Sequence, residues 1–216
     1  MQKKAFIFDL NGTMINDMDY HIAGWHQILN RLDPGITIDR VKSECYGKNS
    51  ELLNRIFPGR FTNEEMEEMI VQKEGAYQEA FRPHLKLVEG LYDFIIAAHE
   101  KGVSLSIGSA AIMHNIDYVL EGTGIRQFID VIVSAEHVKI SKPDPETFLR
   151  AAEMLNVRPA NCLVFEDTPK GVEAAKNAGM KAVVLTLLHQ PEDFRDQDNI
   201  IRFADNFTGL IDLIDY

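Results

Sequence analysis

Five short apolar runs, at 5–8, 103–107, 131–133, 162–165 and 182–185, recur along this chain, with helical patterns between most of them. Polar residues hardly interrupt these runs. Such continuity belongs to strands buried on both faces, as in a parallel sheet. Amphipathic stretches at 91–101, 111–121, 145–155 and 171–178 supply the helices, and Gly102 and Gly179 stop two of them. Strand–helix alternation requires right-handed crossovers. It therefore predicts an α/β fold: a Rossmann-like parallel-sheet core with helices on both faces.

One stretch breaks the alternation. Between 15 and 81 no strand is predicted, and four amphipathic helices take its place, at 17–32, 39–45, 50–57 and 62–80. Pro34-Gly35 and Pro58-Gly59 punctuate them, and Thr62 with Glu65 forms a capping box. The predicted plan is thus a core of 1–14 and 83–216 with an α-helical insert at 15–82. A chain of 216 residues is long enough for both. The tail from Pro191 mixes short apolar pieces with acids and receives no element.

Four strand ends carry polar residues. Phe6-Ile7-Phe8-Asp9-Leu10-Asn11-Gly12-Thr13 delivers a carboxylate and then turns tightly. Gly108-Ser109-Ala110 follows the second strand, Ser141-Lys142-Pro143 the third, and Glu166-Asp167 the fourth. In a parallel sheet all four lie on one edge, where such folds bind ligands. Taken singly, Asp9 caps a turn, Ser109 caps a helix, Lys142 is a solvated lysine and the acidic pair opens a helix. Taken together and in this order, they describe phosphoryl transfer. Asp9 is the expected nucleophile, forming an aspartyl-phosphate. Ser109 and the backbone N–H groups of Gly108–Ala110 would hold phosphate oxygens, and Lys142 would neutralise their charge. Asp9 and Asp167, with Glu166, would hold a hard cation, for which Mg²⁺ suits best.

Composition excludes some partners. A net charge of −11 disfavours nucleic acid, which needs a basic stripe. No apolar run is long enough to span a bilayer, and Met1-Gln2-Lys3-Lys4 opens no signal-peptide pattern, so the expected compartment is the cytoplasm. Cys45 and Cys162 have neither disulfide nor metal spacing and are expected to be reduced, buried thiols.

The four motifs in this order resemble the haloacid dehalogenase superfamily. Within it the chain is similar to the β-phosphoglucomutase-like group. Asp17, Tyr20-His21 and Trp25 match the opening segment of that group's cap. Gly47-Lys48-Asn49-Ser50 matches its substrate-facing loop, Lys73 and Tyr77 its hinge side, and Gly171 its fourth motif. The resemblance implies that the helical insert is a cap, that His21, Trp25, Lys48 and Lys73 meet substrate, and that the protein is a Mg²⁺-dependent monomer. The substrate implied is a small phosphorylated metabolite, often a sugar phosphate.

Two positions depart from the pattern. Asn11 stands where the family carries an aspartate that acts as general acid and base. Its backbone carbonyl can still join the metal ligands, but its amide exchanges no proton, a loss of about 10²–10⁴-fold in rate. Ala111-Ile112-Met113 stands where a mutase holds its second phosphate with polar side chains. Three readings therefore remain open: a phosphohydrolase slowed by Asn11, a phosphomutase, and a phospho-metabolite binding protein with little turnover. In the first, the imidazole of His21 could replace the missing acid.

Overall fold

The computed structural model describes residues 3–215. The chain forms two compact units, one from residues up to Asn16 together with those from Lys86 onward, the other Asp17–Leu85. The boundaries expected from sequence were 15 and 82.

In the first unit six strands form one parallel sheet. They are β1 (Ala5–Phe8), β2 (Ser104–Gly108), β3 (Val131–Val133), β4 (Cys162–Glu166), β5 (Lys181–Leu185) and β6 (Ile200–Ala204), in spatial order β3-β2-β1-β4-β5-β6. β1 is central, paired with β2 through Phe8↔Ile107 and with β4 through Phe8↔Phe165. Asp9 therefore leaves the sheet between the ends of its two neighbours.

The alternation of side chains along a strand sorts the core into two layers. Ala5 and Ile7 of β1 join Val164, Ala182 and Val184 on one face. Helices α7 (Glu146–Met154) and α8 (Pro169–Asn177) cover that face through Phe148, Ala151, Val172 and Ala175. Phe6 and Phe8 point the other way. They meet Phe165 of β4, Phe94 of α5 (Leu91–Glu100) and Phe207, with ring centroids 4.7–6.3 Å apart. Such ring pairs contribute about 0.5–1.5 kcal/mol each beyond their buried area.

β6 lies in the tail to which the sequence assigned no element. It is a sheet edge with one neighbour, its residues are half-buried apart from the exposed Phe203, and its pairing with β5 is irregular between Ala182 and Val183. Half-burial explains why its apolar pattern is weak. The remaining core helix, α6 (Met113–Thr123), starts two residues later than predicted.

The second unit holds α1 (Met18–Leu32), α2 (Ile38–Glu44), α3 (Asn49–Ile56) and α4 (Asn63–Phe81). Trp25, Leu29, Val41, Leu52, Leu53 and Met66 form its own hydrophobic core. Thr62 and Glu65 cap α4 reciprocally, as their spacing predicts. No helix among the described residues is long and apolar enough to cross a membrane.

Candidate active site

Asp9 is held by its backbone. Its N–H donates to Phe165 O at 2.9 Å, extending the β1–β4 ladder one residue past the strand. The chain then turns at once: Met14 N–H donates to Leu10 O and Gly12 N–H to Ile15 O, at 2.9 and 2.8 Å. Gly12 sits at φ +77°, a left-handed conformation that costs a glycine little. Asn11 lies half-buried in this turn, and its backbone bridges to Ile15.

Lys142 is brought to Asp9 from 133 residues away in sequence. Its Nζ donates to Asp9 Oδ1 at 2.6 Å and to Glu166 Oε1 at 2.8 Å. The approach loop is braced from three sides. Glu146 Oε2 accepts the N–H groups of Lys139 and Ile140, Asp144 Oδ1 accepts that of Glu146, and Asn177 Nδ2 donates to Pro143 O. Burial opposes the charge of Lys142, but Asp9 and Glu166 outweigh it and hold the ammonium above the ordinary lysine range.

Glu166 and Asp167 follow β4. Glu166 Oε2 accepts from the backbone N–H groups of Asp167 and Thr168 and from the Thr168 hydroxyl, at 2.7, 2.8 and 3.0 Å. Burial pushes its carboxyl up, yet Lys142 and these donors bring it below the usual range. Thr168 also caps α8 by accepting Gly171 N–H. A Cβ at Gly171 would lie 1.8 Å from Glu166 Oε1, so the helix meets the carboxylate only through a glycine.

Asp167 is fully buried, and Thr13 Oγ1 donates to its Oδ1 at 3.3 Å. Its Oδ2 is buried with no hydrogen-bond partner. Burial, Glu166 and Asp9 all push its carboxyl well above the ordinary value. One carboxylate oxygen each from Asp9, Glu166 and Asp167 lies within 4.8 Å of the others. Were all three acids ionised, they would outnumber the one ammonium by two charges in a buried place, which is why Asp167 resists ionisation without a cation. An orphaned carboxylate oxygen and an all-oxygen donor set fit a hard divalent cation such as Mg²⁺.

Ser109 closes the site on the β2 side. Its N–H donates to Val133 O at 2.9 Å, extending the β2–β3 ladder, and its Oγ accepts Ala111 N–H at 3.2 Å. α6 begins at Met113 rather than at the expected 111. Residues 110 and 111 bend first, and Ile112 occupies the cap position with no side-chain hydrogen bond. The first helical N–H, that of Met113, donates to Glu136 Oε1 at 3.1 Å.

The remaining predicted residues belong to the helical unit. His21, Trp25 and Lys73 come together there in a buried polar cluster with Asp17, Asn49, Glu74 and Tyr77. Asp17 Oδ2 accepts from Tyr77 Oη at 2.6 Å and pairs with His21 Nε2 at 3.2 Å. His21 Nδ1 pairs with Lys73 Nζ, and Lys73 donates to Glu74 Oε1 at 3.0 Å. Asn49 donates to Glu74 and accepts from Trp25 Nε1. Both ring nitrogens of His21 are thus engaged, and its ring stacks on Tyr77 at 3.8 Å. Lys48 sits at the cap of α3, its backbone N–H on Glu51 Oε2 at 3.0 Å. Thr13, Glu146 and Glu136 were not singled out from sequence. Thr13 alone left a signal, since it follows the nucleophile turn directly.

Known proteins resemble this chain along most of its length. The profile of the haloacid dehalogenase-like hydrolase family matches residues 6–185. The β-phosphoglucomutase of Bacillus subtilis (strain 168) is 34% identical over 190 residues, 83% of this chain and 82% of the relative. A validoxylamine A 7'-phosphate phosphatase of Streptomyces hygroscopicus subsp. limoneus is 28% identical over 200 residues, 92% of this chain and 93% of the relative. Among solved structures, a β-phosphoglucomutase from Clostridium difficile superposes with a TM-score of 0.85 at 27% identity, covering 97% of this chain and 93% of that one.

Proposed function

The chain belongs to the haloacid dehalogenase-like hydrolase family, and from that premise we propose that it is a Mg²⁺-dependent phosphatase acting on a small phosphorylated metabolite, a sugar phosphate by preference. The observation that carries this reading is the buried contact of Lys142 Nζ with Asp9 Oδ1, beside a carboxylate cluster short of positive charge.

In the first step an oxygen of Asp9 attacks phosphorus. The Asp9 O–P bond forms as the bond to the leaving oxygen breaks, and that oxygen takes its proton from solvent. In the second step water attacks phosphorus, the Asp9 O–P bond breaks, and inorganic phosphate leaves. Lys142 balances charge on Asp9 and on the transferring oxygens, while Glu166 keeps the ammonium in place. Ser109 and the amides beside it receive a phosphate oxygen. Asp9, Asp167, Glu166 and the backbone carbonyl of Asn11 would hold the cation, which when bound supplies charge neutralisation at the phosphoryl group. Asn11 offers the leaving oxygen a hydrogen bond but no proton. We assign His21 an orienting role, because both of its ring nitrogens already have partners.

A second reading, phosphomutase, is favoured by the likeness to two β-phosphoglucomutases. Against it, the segment after Ser109 is Ala111-Ile112-Met113, and the carboxylate of Glu136 takes the first N–H of α6. A negative charge there repels a second phosphate. The test is phosphate release over a panel of phosphorylated metabolites and p-nitrophenyl phosphate, with and without Mg²⁺, for this chain and for Asn11→Asp. Release from the aryl ester by the wild type, and from alkyl esters chiefly by Asn11→Asp, is expected. Binding without release in both proteins would leave the phospho-metabolite binding reading in its place.

A further inference from the structure

Phe148 stands between two parts of the candidate phosphate subsite that come from different strands. It is fully buried on α7, one turn beyond the loop that carries Lys142. The Lys142 ammonium lies 4.7 Å from its ring centroid, within cation–π range. The same ring, through Cδ1 and Cε1, would lie 3.2 and 3.3 Å from a Cβ placed on Gly108, and Ile7 Cγ2 would lie 3.1 Å from it. Gly108 is the last residue of β2 and is followed by Ser109. One ring thus abuts the lysine of the third motif and the strand end that presents the serine of the second.

An ammonium has three N–H donors. Here two donate to Asp9 and Glu166. An aromatic face attracts the cation through its quadrupole and accepts no conventional hydrogen bond. It restrains Lys142 on that flank while the remaining donor is left for a phosphate oxygen. Replacing the ring by an aliphatic chain of similar size would keep the core filled and remove this restraint.

We propose that Phe148 is a positioning residue of the phosphate subsite, one ring that sets Lys142 and the Gly108–Ser109 strand end in register with each other. The proposal rests on the phosphatase reading above.

The experiment compares wild type, Phe148→Met and Leu155→Ala. Leu155 lies just past α7 in the same hydrophobic cluster and serves as a control for lost packing. Turnover of p-nitrophenyl phosphate with Mg²⁺ and inhibition by inorganic phosphate are measured beside urea unfolding. Phe148→Met is expected to lower kcat/KM and raise the phosphate inhibition constant by about 3- to 30-fold, the range of cation–π contacts from exposed to desolvated. Leu155→Ala should lose comparable stability with both constants within about twofold of wild type. In a Lys142→Met background, Phe148→Met should lose most of its effect on kcat/KM. Equal kinetic losses in Phe148→Met and Leu155→Ala, or full additivity with Lys142→Met, would overturn the positioning role alone. A wild type that neither releases phosphate nor is inhibited by it would overturn the phosphatase reading and this role with it.

Discussion

At residue scale the proposed mechanism turns on two residues with unequal chemistry, Asp9 and Asn11. Asp9 has the geometry of a nucleophile, held by the sheet and touched by an ammonium. Asn11 stands two residues on, in the turn that follows Asp9, and its amide has no exchangeable proton to give a leaving oxygen. Asp9→Asn removes the attacking oxygen's charge and is expected to abolish phosphate release while leaving the fold intact. Asn11→Asp is expected to raise kcat on alkyl phosphates by about 10²–10⁴-fold and to move aryl phosphates much less, because aryloxide leaves without protonation. Steady-state phosphate release on paired substrates measures both. Tyr77→Phe would leave the buried Asp17 carboxylate without its 2.6 Å donor, at a cost of about 1–3 kcal/mol in urea unfolding.

At the scale of elements, the loop from β3 to α7 does what neither end could do alone. It carries Lys142 across the sheet edge, and the carboxylate of Glu146 ties down two amides midway along it, those of Lys139 and Ile140. Glu146→Ala frees that backbone to bond water instead. The expected result is a fall of about tenfold or more in kcat/KM with little change in melting temperature, because a small displacement of a catalytic group is costly. The strand-end residues were legible in sequence because buried parallel strands have an unbroken apolar signal and polar residues end it abruptly. Lys142 lies nine residues past β3, and its sequence neighbours alone gave no distance to Asp9. β6 went unread because an edge strand with half-buried residues has no such contrast. Glu146, Glu136 and Phe148 look in sequence like ordinary members of a helix or turn. Their roles exist only once separate strands stand side by side.

At the scale of the whole molecule, charge decides how the protein responds to pH and to metal. Glu166 has its carboxyl lowered in the folded state, so its contribution to stability is complete above about pH 4.3 and is lost as pH falls through the folded value. Lys142 is raised, so its contribution is complete below about pH 10.4 and is lost as pH rises through the folded value. Asp167 is raised and acts oppositely: stability falls as pH rises from about 3.9 towards its folded value, because the folded carboxyl keeps its proton where the unfolded one has lost it. A divalent cation should relieve that cost. Mg²⁺ is therefore expected to raise the melting temperature near neutral pH, with the gain shrinking on acidification and vanishing in Asp167→Asn; thermal scans with and without chelator measure it. Two glycines bear on the same cluster, for a Cβ at Gly12 would lie 2.1 Å from Asp167 Oδ2 just as one at Gly171 would strike Glu166. Each acid is thus matched to an empty space on a separate segment of chain. In any lineage of this protein the second pair must drift together: a methyl group gained at 171 is tolerable only after the carboxylate opposite has been shortened or lost, whereas at 12 the left-handed backbone keeps the glycine even then.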